Sequence, residues 1–292
     1  MIKLAKIKAG FIVSYDYAYL FNAIAPLYSY ANKIVLAIDE NNLTWSGNKF
    51  VIPQSFFEAI RELDRDNKIE LYFDNFYIPE LTPMECETRE RNMLLNKLGN
   101  GGWKLQLDVD EYIYDFNSIS KFLHKNWYFT IFPRFTPMQF RGKLITLFKQ
   151  VEDGFLYIDN EERFTFITNG YKNDASRVNT KRRSFYTNIA VIHQSWARNE
   201  NEILTKILNW GHRDDFDTMS FFEYWKKLDN NNYQEYINFH PFNPKFWQKL
   251  EYIRAANINE FITTYSNNNK QQLNRFDLTF LINKIKMKFS NA

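Results

Sequence analysis

The stretch Gly102-Trp103-Lys104-Leu105-Gln106-Leu107-Asp108-Val109-Asp110-Glu111 decides the reading of this chain. Five residues, WKLQL, have the length and apolar content of a strand, and they run straight into three acids. Upstream lies a predicted helix, Glu85–Leu98, which ends at Gly99-Asn100-Gly101-Gly102. Working further towards the N-terminus, strand and helix patterns alternate. Ala9–Ser14, Lys33–Ile38 and Ile69–Phe73 read as strands. Ala18–Tyr30 and Gln54–Asp66 read as helices, the second preceded by Pro53. Such alternation is the mark of a parallel sheet covered by helices, so the expected class is α/β, Rossmann-like, with a mostly parallel central sheet.

Towards the C-terminus the pattern changes. Trp127–Phe132, Lys143–Phe148, Gly154–Ile158, Arg163–Thr168 and Phe185–Ile192 read as strands rich in aromatic and β-branched residues. Asn169–Arg183 is polar and basic and reads as a loop, either solvated or a lid over an anionic ligand. Helices are expected over Asn199–Trp210, Thr218–Leu228, Asn243–Ala256 and Gln271–Phe289. We expect one head over 1–228 and a helical C-terminal extension over 229–292.

Composition limits the classes. The chain has 292 residues, 45% hydrophobic and 24% charged, which suits a globular protein with a core of its own and excludes collagen-like or wholly disordered chains. Net charge is only +3, so no nucleic-acid partner is expected. Residues 234–292 hold eight basic and four acidic residues, which places the whole positive excess there. The last helix alternates Leu278, Leu281, Ile285 and Phe289 with Lys284, Lys286 and Lys288. It reads either as a helix packed on the head or as a peripheral membrane contact through 270–292. Cys86 stands alone, and neither a signal-type nor a spanning apolar run is present; a cytoplasmic location is expected. Neither G-x-G-x-x-G nor G-x-x-x-x-G-K-[ST] occurs among only 9 glycines, which weighs against dehydrogenases and P-loop enzymes.

In open parallel sheets, ligands bind beyond the carboxyl ends of the strands. Three of the four parallel strands end in acid there: Ser14-Tyr15-Asp16, Asp39-Glu40 and Asp108-Val109-Asp110-Glu111. Gathering that many carboxylates requires a cation or sugar hydroxyls between them. Asp39 by itself is equally a turn residue. Asp108 and Asp110, two apart on a strand end, face one side and suit Mg²⁺ or Mn²⁺ together with a nucleotide diphosphate.

These residues resemble bacterial glycosyltransferase family 2, whose nucleotide-sugar-binding fold is called GT-A. The resemblance runs from Phe11–Asp16 through Lys33–Asp39, then Glu90-Arg91-Asn92 followed by Gly102–Glu111. It continues with His193-Gln194-Ser195-Trp196 and the helix carrying Lys206, Trp210 and His212. The sequence departs from the family after the second strand, where Asp39-Glu40-Asn41-Asn42 stands in place of Asp-x-Ser. The resemblance implies a metal-dependent, inverting hexosyltransferase. Its donor would be a UDP- or GDP-linked sugar and its acceptor a glycan or lipid-linked sugar, as in surface polysaccharide or lipooligosaccharide synthesis. Ser14, Tyr15, Asp16 and Asp39 would then meet the nucleoside. Asp108 would hold ribose or metal, Asp110 the metal, and Arg91 the phosphates. His193 reads either as a third metal ligand or as a core histidine. The acceptor base is to be sought among Asp153, Asp214 and Asp215, with Asp215 preferred beside the His193 motif. Sugar-stacking candidates are Tyr128, Phe132, Phe135 and Trp196, although most of the 53 aromatics (28 Phe, 18 Tyr, 7 Trp) must be core. A nucleotidyltransferase, or a non-catalytic carbohydrate- or partner-binding protein on the same scaffold, are the competing classes.

Overall fold

The structure is a computed structural model that describes residues 5–209, 211, 215–270 and 273. Three apolar runs give the buried strands β1 (Ile7–Ile12), β2 (Lys33–Asp39) and β4 (Trp103–Asp108), and β3 (Ile69–Asp74) closes that side. All three of their pairings are parallel, in the order β3-β2-β1-β4. Register aligns Ile12 with Asp108 on one side and with Ala37 on the other. Their carboxyl ends therefore finish level with one another along one sheet edge.

Helices α1 (Leu20–Tyr28), α2 (Gln54–Leu63) and α3 (Pro83–Leu98) cover the parallel block. The start of α3 is set locally. Pro83 occupies the first turn, and Thr82 and Glu85 form a reciprocal capping box. Gly10 lets α3 approach closely, since a Cβ there would lie 2.8 Å from Leu94. Gly102 turns the chain into β4 at φ 75°, where a Cβ would fall 2.5 Å from the Lys6 carbonyl oxygen. Trp103 is fully buried against Phe140 and donates its indole N–H to the Leu123 carbonyl at 3.0 Å. An indole of roughly 200 Å² buried at about 25 cal/mol/Å² contributes on the order of 5 kcal/mol.

Beyond β4 the sheet becomes mixed. A long hairpin, β6 (Met138–Val151) and β7 (Gly154–Thr168), joins it through an antiparallel β4–β7 pairing. Then come β8 (Arg183–His193), parallel to β6, and the short β5 (Glu111–Tyr112), antiparallel to β8. The polar stretch after Asp159 does not divide β7 as the sequence suggests: the strand continues through it as an irregularity, and the ladder to β6 shifts register between Ile145–Asp159 and Lys143–Arg163. Trp127–Phe132, expected as a strand, is a 3-10 turn over Trp127–Thr130 after α4 (Phe116–Lys125). Asn243–Ala256, expected as a helix, is a 3-10 turn at Pro244–Phe246 followed by β9 (Glu251–Arg254). Its apolar spacing imitates a helix, but pairing with β7 supplies the backbone partners.

The helices α5 (Glu200–Asn209) and α6 (Thr218–Lys226) pack through Ile203, Ile207, Phe222 and Trp225 on Phe148 and Trp196. Finally α7 (Ile258–Asn268) buries Phe261 and Tyr265 in the main core. Residues 229–269 thus pack with the head, where the sequence reading places a separate helical extension. The expected helix over Gln271–Phe289, and with it the proposed membrane contact through 270–292, lies outside the described residues apart from Lys270 and Leu273. No described helix is long and apolar enough to cross a membrane.

Candidate functional site

A cleft of roughly 380 Å³ opens at the carboxyl edge of β1, β2 and β4. It brings together Ser14, Tyr15, Asp16, Asp39, Arg91, Asp108, Asp110 and His193, the sequence-expected set except for Asp215. Asp215 is exposed and is not part of the cleft wall. Asp153 sits in the β6–β7 turn, where Asn230 donates to it. Asp214, Trp210 and His212 lie outside the described residues. Phe132 and Phe135 are exposed away from the cleft, Tyr128 packs on Phe129, and Trp196 is core against Phe148 and Phe221.

The carboxylates in this cleft are already matched by cations of the chain itself. Arg91 donates to Asp108 Oδ1 at 2.9 Å, and Arg177 donates to Asp108 Oδ2 at 2.6 Å. Arg177 also grips Glu111 with both Nη groups, at 2.7 and 2.9 Å. On the other side, Arg198 bonds Asp110 Oδ2 and reaches Asp16 at 3.1 Å. Lys206 Nζ lies 3.7 Å from the same Asp110 oxygen, and His193 Nε2 lies 3.4 Å from it. Burial pushes the Asp108 carboxyl up, but Arg177 and Arg91 outweigh it and hold it below the ordinary range. Burial likewise opposes ionisation of Asp110, and His193, Lys206 and Arg198 overcome it by a wide margin.

Of these cations Arg198 escapes the sequence reading, and Arg177 enters it only as part of the basic segment 169–183, without its acid partners. Arg177 belongs to 169–183, which is neither a solvated loop nor an open lid but a strap docked on the sheet edge. Asn173 is buried, donating to Gln106 at 3.0 Å and receiving Arg182 at 2.9 Å. Ser176 donates to Glu87 at 2.5 Å. Arg198 follows buried Trp196 and Ala197 and is almost wholly enclosed. The signal that points to both is the acid surplus at the strand ends, since buried carboxylates need partners.

Asp39 takes the plainer of its two readings. Its oxygens accept from the backbone N–H groups of Asn41, Leu43, Phe76 and Tyr77, which fixes the loop after β2. Arg91 spends its charge on Glu87 and Asp108 rather than facing open solvent.

The residues expected to bind Mn²⁺ or Mg²⁺ do not fit such an ion in this arrangement. Both Asp108 oxygens and both Glu111 oxygens receive arginine N–H groups, and a hard divalent ion demands about six oxygen ligands. An ion on Asp110 would sit beside Arg198 and Lys206. Among the described residues, no group of three or more His, Cys, Asp and Glu is placed to hold a metal. The expected ligand set of Asp108, Asp110 and His193 is therefore replaced by internal salt bridges.

His193, on β8, pairs with Glu111 on β5 and lines the cleft; its Nε2 faces Asp110, while its Nδ1 is enclosed and without a hydrogen-bond partner. The chain reverses just after it at Ser195, which has φ 35° and whose carbonyl accepts from Lys206 at 3.2 Å.

Glu90, also in the cleft wall, makes a separate prediction. Burial first, then nearby Asp39 and Glu87, push its carboxyl from 4.5 up to about 8, against a 2.6 Å bond from Trp45. A carboxyl raised on folding binds its proton more tightly in the folded state. Its contribution to stability is therefore lost as pH rises from about 4.5 to about 8. Denaturant melts from pH 5 to 8 are expected to show falling wild-type stability, with a flatter slope and greater stability at pH 8 for Glu90→Gln. An unchanged slope contradicts this assignment.

The fold and the cleft together define a mixed α/β protein with a cleft at a parallel-strand edge. No protein-family model and no curated protein matches the chain. Among solved structures, it is similar over 54% of its length to mannose-6-phosphate isomerase from Helicobacter pylori (11% identity, TM-score 0.32), spanning 56% of that chain, a little over half its length. It is also similar over 77% of its length to mannose-1-phosphate geranyltransferase from Thermus thermophilus (11% identity, TM-score 0.25, 68% of that chain). Likenesses this distant carry no argument about this chain.

Proposed function

We propose that this protein is a glycosyltransferase that moves a sugar from a nucleoside-diphosphate donor to a hydroxyl acceptor, with His193 as the base. The observation that carries the reading is the Asp110–His193 pair in a cleft at the carboxyl ends of β1, β2 and β4. Asp110 orients the ring through Nε2, and Nδ1, enclosed in the free protein, accepts the acceptor hydroxyl proton once bound substrate parts the wall around it. The freed oxygen bonds to the anomeric carbon as the bond to the diphosphate breaks, and the leaving oxygen keeps that electron pair. Attack from the face opposite the leaving group inverts the centre. His193 thus replaces Asp215 in the role of base.

Nucleotidyl transfer is the second reading. Against it, the β1–α1 connection, Val13-Ser14-Tyr15-Asp16, carries an acid and neither glycine nor lysine where a triphosphate would need backbone N–H groups and positive charge. Offering sugar nucleotides in one reaction, and nucleoside triphosphates with sugar 1-phosphates in another, separates the two by product. Nucleoside diphosphate marks glycosyl transfer and pyrophosphate marks nucleotidyl transfer.

A further inference from the structure

Arg141 on β6 and Thr165 on β7 stand directly opposite one another in the antiparallel ladder, and both line the cleft. Cβ atoms so placed lie about 5 Å apart, so the two side chains share one patch of wall. Thr165 is 3% exposed, and its hydroxyl oxygen has no hydrogen-bond partner. The Nε of Arg141 is buried and has none either. The remainder of that guanidinium is held in place. Nη2 donates to the Arg163 carbonyl at 3.0 Å, Nη1 lies 3.5 Å from the Tyr186 hydroxyl, and the group sits 5.5 Å over the Tyr186 ring. Unlike Arg91 and Arg177, Arg141 has no carboxylate partner among the described residues. A positioned cation without an acid, next to an unmet hydroxyl, is an arrangement that costs stability unless a ligand completes it.

We propose that Arg141 and Thr165 form an oxyanion subsite of the cleft, which takes one phosphate or carboxylate group of a bound substrate. The subsite rests on reading this cleft as the substrate site, but not on which group is transferred. Guanidinium N–H groups and a hydroxyl suit a phosphate or carboxylate oxygen equally, and the probes below distinguish the two sources.

The test is calorimetric titration of the full chain with inorganic pyrophosphate, glucuronate, UDP and, as the uncharged control, uridine. The wild type is expected to bind at least one anionic probe. Arg141→Gln is expected to weaken that probe by about tenfold or more, and Thr165→Val by about threefold, with any uridine affinity unchanged. Loss confined to pyrophosphate and UDP assigns the subsite to a phosphate; loss confined to glucuronate assigns it to a carboxylate. Should Arg141→Gln fail to fold, Arg141→Lys keeps the charge, loses the planar fork and is expected to weaken binding by less. Wild-type protein that binds none of the anions, or variants that bind all of them as the wild type does, overturn the subsite. Intact anion binding without any sugar transfer leaves the subsite standing and counts against the transferase reading alone.

Discussion

Asp110→Asn is expected to destabilise the folded protein by about 3–5 kcal/mol, the usual cost of leaving buried charge unpaired. The cleft geometry sets that scale. One oxygen of Asp110 serves Arg198, with His193 at 3.4 Å and Lys206 at 3.7 Å, and both cations are largely buried. An amide matches the shape of the carboxylate but supplies no charge, so the buried guanidinium keeps only Asp16 and the buried ammonium loses its acid partner. Urea melts at pH 7 check the magnitude, and a loss below about 1 kcal/mol contradicts the pairing. The double variant Asp110→Asn with Arg198→Met is expected to recover part of the loss, because the stranded charge goes too. The pH dependence has a definite sign. A carboxyl held far below its ordinary 3.8 stabilises the fold above that value, and this contribution is lost as pH falls towards its folded-state value. Acid titration of the wild type is expected to show that loss, and the Asp110→Asn variant to lack it.

The second large effect belongs to His193. His193→Ala is expected to lower kcat by about 10²–10⁴, the usual worth of a positioned general base, while donor KM stays close to the wild-type value. Its stability is expected to change little, since Nδ1 has no partner to lose and the Asp110 carboxylate keeps Arg198 and Lys206. Added imidazole is expected to restore part of the rate. A structural role would instead lower the melting temperature and show no rescue. Equal turnover in the variant and the wild type removes His193 from the reaction.

WKLQL followed by Asp-Val-Asp-Glu placed the parallel strand and set both acids in the cleft at its end, because a strand end obeys a period of two and the switch from β4 to β5 is short. The helix caps of α3 were equally local and equally legible. What the sequence withheld is the long-range pairing. The counter-ions Arg177 and Arg198 are 69 and 88 residues away from the acids they neutralise; the basic run around Arg177 is visible in the sequence but its acid partners are not, and nothing local marks Arg198. The acids on which the reading expected a metal carry guanidinium partners in the fold. Asp215, expected as the base, is exposed and lies outside the cleft wall. Residues 243–256 failed for a different reason. Phe246, Trp247, Leu250 and Ile253 carry helical spacing, but an open edge of β7 was available to pair, and tertiary context overrode the period.

We propose that this cleft transfers a sugar from a nucleoside diphosphate with His193 as base. The most direct measurement incubates the purified chain with UDP- and GDP-linked sugars and, separately, with nucleoside triphosphates plus sugar 1-phosphates, and then separates the products. The account predicts release of nucleoside diphosphate from at least one sugar nucleotide, strongly reduced in His193→Ala, and no pyrophosphate from the second mixture. Pyrophosphate with new nucleotide sugar, or no turnover of any donor by a folded wild-type protein, contradicts it.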